Sequence, residues 1–455
     1  MRKPRIAVVG AGPSGLYTVA ALLDATVDGP AQVVVLDRLP APYGLVRYGV
    51  APDHVKMKSV IRVLQRPFTE SGVAFLGDVP IGVEGLPPEV LLRHFDAVVY
   101  STGSPVDRRL GVPGEDLAGC YGSAEFVGWY CGHPDLAGLN PALDAPGVAV
   151  VGAGNVALDV ARVLARRAAD LADTDVPPQV LDTLAVSAVT DVHVLIRRAP
   201  QHVRFTPVEL RQLGELDDVD VLVHDDGQLA AGVPASADKR QRTNLAILAG
   251  WAGRAPAGRR RRVHLRFLRS PRRLLPGGPG RVGAVEIERN TVDDDRVRGT
   301  GELTDLAVGL VVPAIGYDAV PIPGLPFDER TGTVPNVAGR VVGADGTPVP
   351  GTYVAGWIKR GPSGVIGTNK GDAAQTVATL LADLAATPRR ELPDQADLAD
   401  DLDRYGVRPV DWSGWLRIDA AEVGRGRLRG TERVKIAELA DLRAVAHGRV
   451  VEPSR

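Results

Sequence analysis

The chain has 455 residues, 45% apolar and 24% charged, an ordinary globular composition that is too long for a single core, so two or three domains are expected. A formal charge of −2 gives no whole-molecule field favouring nucleic acid or a membrane. Two cysteines, Cys120 and Cys131, stand eleven positions apart with no CxxC spacing, which excludes a disulfide scaffold and a cysteine-held metal cluster.

The first predicted element is RIAVV (5–9), a short apolar run suited to a strand buried on both faces. The glycine turn GAGPSG and a helical stretch YTVAALLDA follow, then a second buried strand, VVVLD (33–37). A long loop, RLPAPYGLVRYGVAPDH, leads to a helical pattern through KMKSVIRVLQRPF and to strands at AFLGDVPIG (74–82) and DAVVYSTG (96–103). A second unit repeats the layout. GVAVV (147–151) is a strand, GAGNVA a glycine turn and LDVARVLARR a helix. A polar insertion of about twenty residues with adjacent prolines then precedes the strand VHVLI. Residues 225–262 read as loops and a helix, with further strands at HLRFL, VGAVEIER, LAVGLVVPAIGY and GTYVAGWI (351–358). The helix GDAAQTVATLLADLAA follows, and the tail after Pro388 alternates helical patches with loops. Strands alternating with helices imply parallel sheets with right-handed crossovers. The fold class expected is α/β, with two Rossmann-like dinucleotide-binding domains. No secretory or membrane-spanning run is apparent, so a cytoplasmic protein is expected.

Both glycine turns lie between a strand and a helix. In the first, Gly10 permits the tight turn, Gly12 lets the backbone approach a pyrophosphate, and Gly15 lets helix and strand pack closely. The helix N-terminus offers unpaired N–H groups to the phosphates. Asp37, 22 positions beyond Gly15 at the next strand end, can accept from ribose hydroxyls. The second turn is Gly152-x-Gly154-x-x-Ala157. Its following strand, VHVLI, ends in Arg197 and Arg198 where an NAD site carries a carboxylate. A carboxylate would repel the 2′-phosphate of NADPH, whereas arginine binds it by charge-assisted, bidentate hydrogen bonds. The other reading of the arginines is a solvated basic strand end. Two turns imply two nucleotides, and a flavin dinucleotide beside NADPH would let hydride pass between them.

The stretches GAGPSG, YGLVRYGVAPDH, PGEDLAG, EFVGWY, GAGNVALDVAR, FTPVELR, LPFDERTGTVPNVAGR and GWIKRGPSGVIGTNKGDA resemble those of the adrenodoxin reductase-like ferredoxin–NADP+ reductases. The match runs to about residue 385. The resemblance implies an NADP domain (107–316) inserted into a FAD domain made of 1–106 and 317–455, with a C-terminal extension after about 388. It implies an enzyme in which NADPH gives hydride to FAD and electrons then pass singly to a ferredoxin-type iron–sulfur protein. The partner would be acidic and the enzyme monomeric.

By that resemblance Ser14, Asp37, Leu45 and Ile81 line the FAD. Asp37 stands where the family usually has Glu, and Leu45 and Ile81 read equally well as core residues. Trp357 would cover the isoalloxazine, with core packing as the alternative, while Gly364, Val365 and Ile366 would donate to its pyrimidine edge. Ala153, Gly154, Asn155 and Val156 would form the NADP pyrophosphate turn, and Glu209 would face the nicotinamide, although alone it reads as an exposed helix carboxylate. His54 and Asp159 would serve proton handling, His54 because imidazole is the side chain type suited to relaying protons near neutral pH. The helix macrodipole alone also accounts for Asp159. No metal site is expected. The arginine clusters GRRRRV and RSPRR could steer an acidic partner or be solvated surface, and Arg204 and Arg211, beside the NADP motif, are favoured for docking because the resemblance places them in the general region of the family's docking face. A flavin monooxygenase or a redox-sensing flavoprotein without turnover are the alternatives.

Overall fold

The computed structural model describes residues 2–25, 31–83, 85–293, 296–388 and 390–451. The chain divides into two compact units. One comprises Met1–Val50, His54–Val106 and Tyr317–Arg455, the other Ala51–Asp53 and Asp107–Gly316.

The first unit is built on an eight-stranded sheet. Its spatial order is Asn336–Val337, Arg340–Val342, Pro348–Val354, Ala97–Tyr100, Arg5–Val9, Gln32–Leu36, Val73–Gly77 and Val410–Asp411. The five central strands run parallel, and antiparallel pairs flank them. Ile6, Ala7 and Val8 are fully buried, as an apolar run without alternation requires when helices cover both faces. From Arg5–Val9 the chain moves to Gln32–Leu36 on one side and later returns to Ala97–Tyr100 on the other. The strand order therefore reverses beside the first glycine turn, the place where open parallel sheets bind ligands.

The second unit has a five-stranded parallel sheet ordered Leu310–Pro313, Gly147–Val151, Asp191–Ile196, Arg261–Phe267 and Val219–His224. Its order reverses beside the second glycine turn. A three-stranded antiparallel sheet (Arg269–Gly278, Arg281–Asp293, Arg296–Ala307) packs on it through Leu274, Val285, Ile287 and Leu195.

Several elements differ from expectation. The strand expected over 74–82 ends at Gly77, because Asp78 takes φ +60° and the Val79 amide turns back to the Asp37 carbonyl. The helix expected through KMKSVIRVLQRPF is broken into Val55–Lys58, Ile61–Leu64 and the 3-10 turn Arg66–Thr69. The polar insertion before VHVLI contains the helix Pro178–Ala185, started by its prolines. The tail after 388 is no appendage. Helices Trp412–Arg429 and Leu439–Ala446 place Trp415, Ile418 and Leu442 in the hydrophobic cluster of Ile6, Val8 and Leu16.

Candidate functional site: two phosphate-binding turns

In the first unit, Gly10 sits at φ +106°, and a Cβ there would lie 2.5 Å from the Ser101 carbonyl oxygen. Gly15 is tighter still, since its Cβ would lie 1.8 Å from the Gly10 oxygen. Gly12 differs: among the described residues, a Cβ there would meet only the Cα of Gly44, at 3.9 Å. Two of the glycines are thus required by the protein's own backbone, and the third keeps a cradle open. The second unit repeats the arrangement. A Cβ on Gly152 would lie 2.4 Å from the Ala314 oxygen, Gly154 has nothing within 4 Å, and Ala157 fits as alanine.

The helix Pro13–Ala25 opens on this cradle with proline at its first position. Ser14 Oγ, one residue on, is buried and makes no hydrogen bond among the described residues. Buried polar atoms are normally satisfied, so an orphaned hydroxyl at a helix N-terminus fits a bound phosphate. Asp37 accepts from the Ala11 amide at 2.7 Å and from Leu39 at 2.9 Å. Burial holds its carboxyl above the usual range, against those two amides. The carboxylate therefore braces the turn itself as well as ending its strand.

The loop Tyr43–Tyr48 meets this turn. The Tyr43 amide donates to the Ala11 carbonyl, and Tyr43 and Gly44 both take positive φ, a conformation costly for a bulky side chain and held by its surroundings. It leaves Leu45 49% exposed. Ile81, by contrast, is partly buried among Val9, Val79 and Ile358. Gly356 brings the late strand against the same helix, where its Cβ would lie 2.5 Å from Ser14 Oγ. Asp372 fixes that corner, accepting from the Gly356 amide at 2.6 Å and pairing with Lys359 at 2.9 Å. Trp357 is half-buried and stacks on Tyr317 with ring centroids 5.9 Å apart. Beyond it Val365 is 65% exposed, and its amide donates to Thr368 Oγ1 at 3.2 Å. The amides of Gly364 and Ile366 find no acceptor among the described residues. His54 is buried and begins the short helix Val55–Lys58.

In the second unit, the Ala153 carbonyl accepts from the amides of Arg204 and Phe205, and Asn155 Oδ1 accepts from the Thr206 amide at 2.8 Å. The FTPVELR segment is thereby tied to the glycine turn. Thr206 stands at the N-cap position of the helix Pro207–Gly214 without a side-chain capping bond, and its hydroxyl donates to Glu209 instead. Glu209 is buried, which corrects its reading as an exposed helix carboxylate. Val156 is half-buried against the core. At the strand end, Arg197 is exposed, and the Nε of Arg198 is buried without a partner among the described residues. Asp159 pairs with Arg162 at 2.8 Å, and Arg162 also grips Asp53 through bonds of 2.6 and 2.9 Å. Burial opposes the Arg162 charge, but Asp53 and Asp159 hold its pKa above the ordinary arginine value.

The basic clusters are largely neutralised. Arg261 is buried and donates to the Leu164 carbonyl, while Arg262 pairs with Asp191, Arg269 with Asp226, Arg272 with Glu288 and Arg273 with Glu286. Arg204 and Arg211 are exposed, with no carboxylate partner among the described residues. Among the described residues, no group of three potential ligands could hold a metal ion, and no helix is long and apolar enough to cross a membrane. Burial pushes the Cys120 thiol up to about 12, so it stays protonated near neutrality.

Sequence reasoning missed Asp372, Lys359, Arg162 and Asp53. Thr206 had a readable signal, the Thr-x-x-Glu of a helix start. The ion-paired residues all lie within the quoted family stretches, but nothing local in those stretches shows which of them pair.

Two parallel sheets, each reversing beside a glycine turn with an open cradle, define the class of two-nucleotide oxidoreductases. No family model matches the chain. NADPH-ferredoxin reductase FprA of Mycobacterium tuberculosis is 41% identical over 98% of this chain and 100% of its own length. Human mitochondrial NADPH:adrenodoxin oxidoreductase is 39% identical over 98% of this chain and 93% of its own. The solved structure of M. tuberculosis FprA in complex with NADPH superposes with a TM-score of 0.92 at 40% identity, over 98% of this chain and 100% of that one. The chain belongs to the adrenodoxin reductase-like ferredoxin–NADP+ reductase family, and is an oxidoreductase of the ferredoxin reductase type.

Proposed function

We propose that the chain is a FAD-containing NADPH:ferredoxin oxidoreductase, with FAD on the first unit and NADPH on the second. When bound, FAD takes two electrons together as hydride from NADPH and releases them singly to an iron–sulfur protein. Gly10, Gly12, Ser14 and Gly15 hold the FAD pyrophosphate, and Asp37 braces that turn. The exposed apolar side chains of Leu45 and Val365 suit a flat aromatic ring, and the free amides of Gly364 and Ile366 suit its polar edge. Trp357 and Ile81 complete the wall. Ala153, Gly154, Asn155 and Val156 cradle the NADPH pyrophosphate, with Glu209 beside them through Thr206. We assign proton handling to His54 and Asp159. Exposed, uncompensated Arg204 and Arg211 suit an acidic partner. The cytoplasmic, monomeric setting expected from the sequence completes the reading.

One observation carries the coenzyme choice. The strand Asp191–Ile196 ends in two guanidinium groups, and a buried nitrogen of Arg198 has no internal partner. A buried unpaired donor is costly, and a 2′-phosphate supplies its acceptor. Replacing both arginines (Arg197→Ala, Arg198→Ala) should raise the NADPH KM about a hundredfold, the loss of two charge-assisted contacts, and leave the NADH KM nearly unchanged. An unchanged NADPH KM would remove them from the site.

A further inference from the structure

The segment from Val55 to Arg66 is basic and free of carboxylates. Lys56, Lys58, Arg62 and Arg66 fall within it, and no Asp or Glu occurs from His54 to Thr69. Apolar residues interleave with these cations, yet nothing from Val55 to Val63 is fully buried. Val55 is 57% exposed, Met57 42% and Val63 46%. This is not a loosely held loop. Leu64 and Phe68 are buried, and Phe68 stacks on Trp412 at 4.3 Å and meets Phe75 edge-on at 5.7 Å. Val60 and Ile61 pack partly on the same cluster. The fold therefore anchors one side of the strap and leaves three aliphatic side chains outside, among cations. Lys56, Arg62 and Arg66 have no carboxylate partner among the described residues, in contrast to the paired arginines of GRRRRV and RSPRR.

An exposed apolar centre with a charged rim is the anatomy of a protein interface. We propose that this strap is a docking surface for the electron acceptor, a small iron–sulfur protein presenting acidic side chains. The proposal rests on the function proposed above. The strap begins at Val55, in the same unit as the segment Leu45–Tyr48 that presents Leu45 to the proposed flavin site. Exposed cations without an internal partner leave a positive surface that suits an anionic partner. A lipid surface is disfavoured, since membrane-lying helices present one continuous amphipathic face, and here the helix is cut into two pieces of four residues. The strap is separate in sequence from Arg204 and Arg211, and contributes apolar contact that they do not.

The test compares the full-length, FAD-loaded protein with Lys56→Glu/Arg62→Glu and with Met57→Ser. Two rates are read: NADPH-driven ferricyanide reduction, and cytochrome c reduction through a purified acidic [2Fe–2S] ferredoxin. The charge reversal should raise the ferredoxin KM about tenfold at low salt, converge with the parent at high salt, and leave the ferricyanide rate unchanged. Met57→Ser should raise that KM without altering its salt dependence. If the charge reversal misfolds, Lys56→Gln/Arg62→Gln takes its place. An unchanged ferredoxin KM beside an intact ferricyanide rate would overturn the docking surface alone. A parent protein that reduces neither acceptor would sink the proposed function and the surface with it. Binding of the parent to phosphatidylglycerol-containing vesicles, lost in the charge variant while KM stays constant, would reassign the strap to lipid and overturn the proposal.

Discussion

Arg47 and Glu422 show how far the fold goes to hold one loop still. Their ion pair is 2.5 Å long, with side-chain exposures of 3% and 0%. Glu422 also accepts from the Ile436 amide at 2.9 Å and pairs with Arg433 at 3.2 Å, while Lys435 Nζ donates to the Arg47 carbonyl at 2.7 Å. The Arg47 guanidinium lies over the rings of Tyr48 and Trp415. Burial alone would raise the Glu422 pKa, but the Arg47 charge prevails and holds it below the usual range. Removing one partner leaves a buried charge uncompensated, so Glu422→Ala should destabilise the protein by about 3–5 kcal/mol, read by chemical unfolding. Loss below about 1 kcal/mol would mean that water reaches Arg47. The loop so held carries Tyr43 and Leu45, and nothing in YGLVRYG announces a partner 375 positions away. The glycine roles, by contrast, were legible because the glycine spacing between a strand and a helix is itself a local signal, even though the carbonyls that crowd Gly10 and Gly152 come from residues distant in sequence.

At the scale of elements, the two turns are one solution written twice, with one instructive difference. Gly15 has no room for a methyl group, whereas Ala157 already carries one. Gly15→Ala should therefore cost about 1–3 kcal/mol or more from overpacking and lower the flavin content per chain. Ala157→Gly should cost only about 1 kcal/mol of helix propensity. Equal tolerance at the two positions would contradict this account of the turns. A second element-scale feature lies across three neighbouring strands. The rings of His193 and His264 are 4.4 Å apart, His224 Nε2 is 3.1 Å from His264 Nδ1, and Asp191 Oδ1 is 2.9 Å from His264 Nε2. Arg266 donates to His193 at 3.1 Å. Burial, with neighbouring His264 and Arg266, depresses His193 to about 3. Burial and Arg266 depress His224 to about 4, and burial lowers His264 despite Asp191. These folded-state values lie below the ordinary one, so the unfolded chain binds protons first as pH falls. The stability these histidines contribute is complete above about pH 6.5 and is lost toward pH 3. Thermal unfolding between pH 7 and 4 should show proton uptake, reduced in His193→Leu. An identical pH slope in that variant would exclude His193 as a contributor. The histidines were invisible as a group because strand register, not spacing, brings them together. The helix expected over 56–68 failed for a related reason: its apolar residues meet a partner only from Val60 onward.

The alternation of strands and helices made the α/β class readable across the whole molecule, since each buried parallel strand is a short unbroken apolar run. The antiparallel three-stranded sheet escaped as a unit, because its outer strand Arg296–Ala307 is exposed almost throughout and carries no apolar pattern. The tail after 388 was unreadable for a different reason. Its function is to pair Val410–Asp411 with the sheet edge and to fill the cluster around Leu16 with Trp415, Ile418 and Leu442, which are long-range contacts without a motif. A chain ending at 388 should expose that cluster, leave Arg47 unpaired, and be recovered without flavin; a folded, yellow truncation would show the tail to be dispensable. The central claim, that FAD and NADPH are held by one chain, is tested most directly by anaerobic titration of the purified protein. The account predicts a yellow protein that releases FAD on denaturation and is bleached by NADPH far faster than by NADH. A protein that stays colourless after reconstitution with FAD, or that is bleached equally fast by both nucleotides, would contradict it.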